Sequence, residues 1–281
     1  MKTPKIIVYP LGGLANRIRS LASGVWLSRQ LGVGLRVVWS VDNDLHAPFG
    51  QLFRMADTEI EFTQPSAFAR WLLYMMPRRR NLYLSGVWQK LNYGLSLTDG
   101  GRLDSMLETP ERVGELARQA IVRGRDVYFA SCAEFYDFPA ELLREIMIPT
   151  ADIEARIDRN LELTGRNVVG VQIRRTDHRV CIASSPTEGF IRRMHELLEQ
   201  DPEVKFFLAT DDEDEKRRIR EEFPGRVVTN ESVASRRSVD GMKDAVSDVM
   251  TLSRCKLILA SRGSSFGQLA ARFGGIEIEY P

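Results

Sequence analysis

The chain has little of several residue types, and each shortage excludes a class of protein. Three cysteines in 281 residues, with no C-x-x-C pair, exclude a disulfide scaffold and predict reduced thiols in a cytoplasmic protein. The three histidines are scattered without metal-ligand spacing, so no metal site is predicted. No run of about 18 apolar residues occurs, and the start MKTPKIIVYPLGG lacks the apolar region of a signal peptide. We therefore expect no passage across a membrane.

The chain has no large excess of charge of either sign. It contains 39 Lys and Arg and 38 Asp and Glu residues, which gives a net charge of +1. Nothing in this balance favours nucleic acid as a partner, and an anionic ligand must be bound by local groups. What is present is an ordinary globular composition, 43% hydrophobic, in a chain long enough for two cores. A boundary near Pro149 predicts domains over 1–149 and 150–281.

The second half alternates short β-rich runs with segments of helical period. The pattern predicts strands over 167–173, 204–209, 227–228, 256–260 and 276–278, and helices over 187–200, 212–223, 241–255 and 264–273. Nearly continuous apolar strands separated by helices indicate a parallel sheet covered on both faces. A Rossmann-like domain is the expected result.

The first half opens in the same way, with a strand over 5–9, a glycine turn, and a helix from Leu14 that ends at Gly32. Further strands are predicted over 35–39 and 127–132, whereas residues 42–125 show no clear pattern. The predicted fold class is therefore α/β, with two Rossmann-like domains that face a cleft.

Polar residues follow three predicted strands of the second half, where an open parallel sheet binds its ligands. They are Arg174 and Arg175, then Thr210, Asp211 and Asp212, then Ser264 and Ser265. The arginines suit a phosphate, and the serines mark a helix N-terminus that attracts anions. Internal ion pairs of the arginines and plain helix capping by the serines are the structural alternatives.

Two further groups are weaker candidates. The turn between the first strand and helix holds Gly13, Asn16 and Arg17, which would reach a ligand lying between the domains. It has neither the G-x-G-x-x-G spacing nor the P-loop lysine, and a tight turn is the alternative. Asp248 lies among apolar residues of a predicted helix, where it could pair with guanine or be an exposed acid.

Four motifs together resemble the fucosyltransferase superfamily of bacterial nodulation fucosyltransferases, eukaryotic α-1,6-fucosyltransferase and protein O-fucosyltransferases. They are GGLANR at 12–17, VVGVQIRRTDH at 168–178, FFLATDDEDE at 206–215 and DAVSDVMTLSRCKLILASRGSSFGQLAARFGG at 244–275. They stand in the order that the family has. The resemblance covers 165–275 well, covers 5–40 loosely, and does not extend over 42–125.

The resemblance implies a GT-B-like fold, GDP-fucose as donor, no metal or other cofactor, and inversion at the fucose anomeric carbon. It implies that Arg174 and Arg175 are the catalytic residues: Arg174 holds the β-phosphate and stabilises the leaving diphosphate, and Arg175 supports the loop. Asp248 would accept from guanine. Ser264 would bind the diphosphate, and three aspartates would order the loops: Asp177, Asp211 and Asp212.

The chain departs from the family at two positions, with Gln172 where histidine is common and His178 where lysine is frequent. His178 would contact phosphate when protonated, or else face solvent. The general base stays open among Glu188, Asp177 and residues 42–44.

The segment AFARWLLYMMPRRR at 67–80 joins an apolar stretch to three arginines. It predicts either a peripheral membrane contact or an amphipathic core helix followed by a basic turn.

The expected function is transfer of fucose from GDP-fucose to a glycan hydroxyl, with 1–149 binding the acceptor and 150–281 the nucleotide sugar. Two alternatives stay open: a transferase for another nucleotide-activated deoxyhexose, and a catalytically silent nucleotide-sugar-binding protein.

Overall fold

A computed structural model describes residues 3–54, 60–74, 79, 82–99, 109–176, 179–231 and 235–281. The chain forms two compact units, Met1–Ile148 and Pro149–Pro281, which we call the first and the second unit. Each contains a five-stranded sheet in which all paired strands run parallel. Parallel strands need crossover connections, which explains why helices alternate with strands along the chain.

The first unit is built on a sheet with the strand order β4-β2-β1-β6-β5. Its central strand β1 is buried over five of its six residues, because the sequence KIIVYP carries apolar side chains toward both faces. The strands of this unit are β1 (Lys5–Pro10), β2 (Gly34–Val38), β3 (Phe53–Arg54), β4 (Ile60–Thr63), β5 (Leu95–Thr98) and β6 (Val127–Ser131).

The main helix of the first unit follows β1 through the glycine turn and ends at Gly32, whose φ of 63° is left-handed. A glycine adopts this conformation without the strain of a Cβ, so the helix ends where the sequence predicts. The helices are α1 (Leu14–Leu31), α2 (Ala67–Ala69), α3 (Leu84–Asn92), α4 (Pro110–Val122) and α5 (Leu142–Ile146), with a 3-10 turn at Phe49–Gln51 and a π turn at Arg70–Tyr74.

The second unit has the strand order β10-β9-β8-β11-β12. All six residues of the central strand β8 are buried. The strands are β8 (Val168–Ile173), β9 (Lys205–Thr210), β10 (Val227–Val228), β11 (Ile258–Ala260) and β12 (Ile278–Glu279), and β7 (Ile148–Pro149) lies at the junction of the units. The helices are α6 (Ala151–Thr164), α7 (Arg179–Ser184), α8 (Thr187–Gln200), α9 (Glu213–Glu222), α10 (Val239–Leu252) and α11 (Ser265–Gly274).

Periodicity predicted the second unit well. Helix α8 has the predicted bounds, and the predicted strand 204–209 is displaced by one residue. The predicted start of helix α10 was too late. The helix begins at Val239, two residues before the predicted start, because the Ser238 side chain accepts from the Gly241 backbone N–H and caps it.

The weakly patterned segment 42–125 contains regular structure that the sequence did not indicate, namely β4, α3, β5 and α4. Residues 67 and 68 are exposed, 69–74 are half-buried, and Tyr74 packs against a core cluster of the first unit. Both alternatives for this segment stay open over its described part. No helix within the described residues is long and apolar enough to cross a membrane.

Candidate functional site

The carboxyl ends of four neighbouring strands of the second unit form one edge of the sheet, which we call the rim. Its residues are 172–176 at the end of β8, 210–212 at the end of β9, 230 after β10 and 261–265 after β11. The register places Gln172 between Ala209 of β9 and Ala260 of β11. The predicted site residues that follow these strands are therefore brought together, in the position where open α/β sheets bind ligands.

Hydrogen bonds to side chains join the rim loops to one another. The Arg174 N–H donates to Ser261 Oγ at 3.0 Å. Asp211 accepts twice, from the Arg175 N–H at 2.7 Å and from Thr176 Oγ1 at 2.7 Å. Asp212 accepts from the Glu215 N–H at 2.8 Å and so caps α9. Both aspartates therefore order the rim loops, and Arg174 stays a predicted ligand residue.

Arg175 serves as a brace. Its guanidinium donates to the Arg174 carbonyl at 2.9 Å and to Thr187 Oγ1 at 2.8 Å, and it lies 3.4 Å from Glu215 Oε1. Thr187 in turn donates to Glu215 at 2.6 Å. Of the two arginines predicted to be catalytic, Arg175 has its side chain engaged by α8 and α9, which is the arrangement of a residue that positions the Arg174 loop.

Three side-chain oxygens at the rim are buried and have no hydrogen-bond partner among the described residues: Gln172 Oε1, Thr210 Oγ1 and Ser264 Oγ. In the described part of the second unit, no other buried side-chain polar atom lacks a hydrogen-bond partner. Such an atom costs about 1–3 kcal/mol of folding free energy. Their concentration at one edge indicates a ligand-binding position.

Ser264 precedes α11 with extended backbone geometry, yet its side chain makes no capping bond. Ser265 is the first helical residue, so the N–H groups of the first turn begin at the rim and favour an anion. Gly267 lies one turn in, and a Cβ there would stand 2.8 Å from the Ala260 Cβ and 3.3 Å from Gln172 Oε1. This glycine allows α11 to approach the rim closely. The sequence analysis did not identify it, although a glycine directly after the run SSF could have indicated a close contact of the helix.

Asp248 of α10 is buried beside the β10 end of the rim and is not an exposed acid. Its Oδ1 accepts from Asn230 Nδ2 at 2.6 Å, and Asn160 Nδ2 donates to Asn230 Oδ1 at 3.1 Å. Burial raises the pKa of Asp248 well above its ordinary value, and Asp244 adds to this, whereas Lys216 and Asn230 oppose it. The Lys216 ammonium donates to the Asn230 carbonyl at 2.9 Å, so the group is held rigidly.

In the first unit, Arg17 is turned into the fold. Its guanidinium donates to the Gly12 carbonyl at 2.7 Å, to the Ser40 carbonyl and to Asp42 Oδ1 at 2.7 Å, and it lies 5.4 Å from the centre of the Trp39 ring. The predicted ligand role of Arg17 is therefore corrected to a structural one.

The other two predicted ligand residues of the glycine turn, Gly13 and Asn16, make fewer contacts with the rest of the unit than Arg17 does. Asn16 is half-buried and accepts from Arg19 at 2.9 Å, while Gly13 precedes α1 without a side-chain cap. Both remain predicted ligand residues.

Two of the general-base candidates are engaged elsewhere. Asp42 pairs with Arg17, and the Glu188 carboxylate accepts from Arg218 at 2.8 Å, a bond that lowers the pKa of Glu188. A lowered pKa makes a carboxylate a poorer proton acceptor. Asp177 and His178 lie outside the described residues. Within the described ranges, no group of three or more His, Cys, Asp or Glu side chains could hold a metal ion.

Solved structures that share this fold include fucosyltransferases. NodZ from Bradyrhizobium is 19% identical, covering 96% of this chain and 92% of that chain with a TM-score of 0.63. A mutant of Arabidopsis thaliana FUT1 in complex with GDP is 15% identical. The match covers 100% of this chain and 71% of that chain, with a TM-score of 0.63. POFUT1 in complex with GDP-fucose is 11% identical. The match covers 99% of this chain and 98% of that chain, with a TM-score of 0.60.

These identities establish a shared fold alone. No protein-family model matches the chain. No curated protein matches it in sequence. The resemblance indicated by the four motifs is confirmed at the level of fold, and so is the predicted α/β, GT-B-like class with Rossmann-like units.

Proposed function

We propose that the protein is an inverting glycosyltransferase that transfers fucose from GDP-fucose to a hydroxyl group of a glycan. The observation that carries the proposal is the set of unpartnered buried oxygens at the rim, next to the N-terminus of α11 and Arg174. Two of the structures that share the fold contain GDP or GDP-fucose, which supports a guanine nucleotide as the ligand. The second unit would bind the donor and the first unit the acceptor.

The diphosphate would lie between the start of α11 and the arginine loop. Ser264 Oγ can donate to a phosphate oxygen, and the N–H groups from Ser265 onward add the positive end of the helix dipole. Gln172 offers a side-chain amide close to Gly267. Asp248 would accept from guanine N1–H and its exocyclic amine, and such donors would favour the ionised carboxylate.

The chemistry then follows from where charge develops. As the bond between the anomeric carbon and the phosphate oxygen stretches, negative charge grows on GDP while the sugar becomes oxocarbenium-like. A guanidinium at the β-phosphate stabilises that state more than the ground state. Arg174 would supply this charge, and Arg175 would hold the Arg174 carbonyl in place. We propose that this neutralisation requires no metal, so excess chelator should leave turnover unchanged.

The test compares Arg174→Ala with the control Arg217→Ala, whose arginine is exposed and pairs with Asp214 one helical turn away. Loss of one charge-stabilising donor should lower turnover by about a hundredfold or more. The control should retain wild-type turnover. Both variants are assayed for transfer to a mixed glycan pool and for donor hydrolysis by mass spectrometry.

Near wild-type turnover of Arg174→Ala would refute the role of Arg174. Binding of GDP without transfer or hydrolysis would instead identify a catalytically silent binding protein. A donor with another base is tested separately, because GDP should raise the thermal midpoint more than UDP or dTDP at equal concentration.

A further inference from the structure

Helix α3 of the first unit presents its apolar side outward. Leu84, Val87, Trp88 and Leu91 recur at the spacing of one helical stripe, which normally faces a core. Here these four side chains are between 40% and 71% exposed. The buried residues of this helix are instead the polar Ser85 and Gln89.

Buried hydrogen bonds fix this orientation. Gln89 Nε2 donates to the Leu73 carbonyl at 3.2 Å, and Ser96 Oγ of β5 donates to Gln89 Oε1 at 3.0 Å. Rotating α3 to bury its apolar stripe would break both bonds of the Gln89 side chain. The Leu73 carbonyl and the Ser96 hydroxyl would then lose their partner. The outward stripe is therefore specified by the fold.

The stripe continues onto neighbouring segments. The π turn Arg70–Tyr74 packs against α3, and the Phe68 ring lies 6.1 Å from the Trp71 ring beside it. The apolar side chains that form this α3 surface are Phe68, Leu82, Leu84, Val87, Trp88 and Leu91, all exposed. A contiguous patch of this kind marks an interaction site.

The charge around the surface identifies its partner. From Phe62 to Thr98 the sequence has no Asp or Glu and five basic residues: Arg70, Arg78, Arg79, Arg80 and Lys90. This segment therefore carries +5, while the whole chain carries +1, so the remainder carries +1 − 5 = −4. Arg79 and Lys90 are exposed, Arg70 is half-buried and pairs with Asp42 at 3.6 Å, and Arg78 and Arg80 lie outside the described residues. The described cations beside the surface are therefore Arg79 and Lys90.

We propose that the α3 surface docks onto an anionic lipid bilayer. Aliphatic and Trp side chains flanked by cations are what the interface of such a bilayer accommodates. A second copy of the chain fits poorly, because the exposed Arg79 and Lys90 of two such surfaces would repel each other. Lysine is also depleted at protein–protein interfaces. The docking is independent of the proposed transfer reaction.

The test is flotation of the full chain with vesicles of phosphatidylcholine alone or of phosphatidylcholine with phosphatidylglycerol. Binding is expected only to the anionic vesicles and should fall as salt rises, because the lipid charge is screened. Each cation near such a surface is worth about a fivefold gain in partitioning, so Arg79→Glu with Lys90→Glu should weaken binding by more than tenfold. Arg118→Glu with Arg123→Glu, at exposed positions of the same unit, is the matched control.

The apolar contribution is tested by Leu84→Ser with Val87→Ser and Leu91→Ser, which should abolish flotation. The control is Val122→Ser with Leu163→Ser, because these side chains are also exposed, by 80% and 53%. Circular dichroism checks folding, and the charge variants keep the test decisive if the triple variant unfolds. Equal binding to neutral vesicles, no binding, or equal loss in the controls would overturn the proposal. A dimer in light scattering that the stripe variants dissociate would overturn it in favour of self-association.

Discussion

Replacing Ser264 by alanine removes a hydroxyl that is fully buried and has no partner in the described part of the chain. An unpartnered hydroxyl has lost its water and gained no bond, so the fold derives no stability from it. Ser261, three residues earlier, is equally buried, but its Oγ accepts the Arg174 N–H at 3.0 Å. The two serines therefore form a matched pair in one loop.

The expected magnitudes are opposite for the two positions. Ser264→Ala should leave the free energy of unfolding unchanged or raise it slightly, while GDP loses a charge-assisted bond of about 1.5–3 kcal/mol. That loss corresponds to roughly 10- to 150-fold weaker GDP binding. Ser261→Ala leaves the Arg174 N–H without its partner and should cost about 1–3 kcal/mol of stability.

The assays are thermal unfolding without ligand and calorimetric titration with GDP, performed on both variants. A drop of several degrees in the midpoint is expected for Ser261→Ala alone. Two results would refute the reasoning: wild-type GDP affinity in Ser264→Ala, or a loss of stability there as large as that in Ser261→Ala. Either would mean that the Ser264 hydroxyl serves the fold and not a ligand.

Two further predictions concern buried charges. Arg17→Ala leaves the Asp42 carboxylate without its buried partner and should lower the free energy of unfolding in urea by about 3–5 kcal/mol; wild-type stability would contradict the structural role. For Asp248, burial raises the pKa, so the folded state holds more protons than the unfolded state between the ordinary and the raised value. Asp248 therefore makes the free energy of unfolding fall as the pH rises above the ordinary carboxyl value of about 4, and Asp248→Asn should remove this contribution. The same fall in the variant, measured by urea unfolding across that range, would contradict it.

The rim was predictable from sequence because its determinants are local. Largely apolar strands of six residues define β8 and β9, and the polar residues that follow each strand must emerge at the same edge of a parallel sheet. Ser264 and Ser265 were predictable for the same reason, since a strand followed by serines and an apolar period marks a helix start. The bounds of α8 follow from periodicity alone.

The roles of individual charges were not predictable, because their partners come from elsewhere in the chain. Arg17 was predicted to contact a ligand, but the Ser40 carbonyl and Asp42 enclose it. Arg174 and Arg175 are adjacent in sequence, and only the positions of Thr187 and Glu215 make the second one a brace.

Sequence by itself determined the α/β alternation, the edge where polar residues gather, and the charge segregation of 62–98, because each depends on residue order and composition alone. Tertiary structure decided which polar groups are left without partners, that Asp248 is enclosed beside Asn230, and which side of α3 meets solvent. Those outcomes depend on hydrogen bonds between distant segments, and a helical stripe of Leu, Val and Trp has the same period whether it faces a core or water.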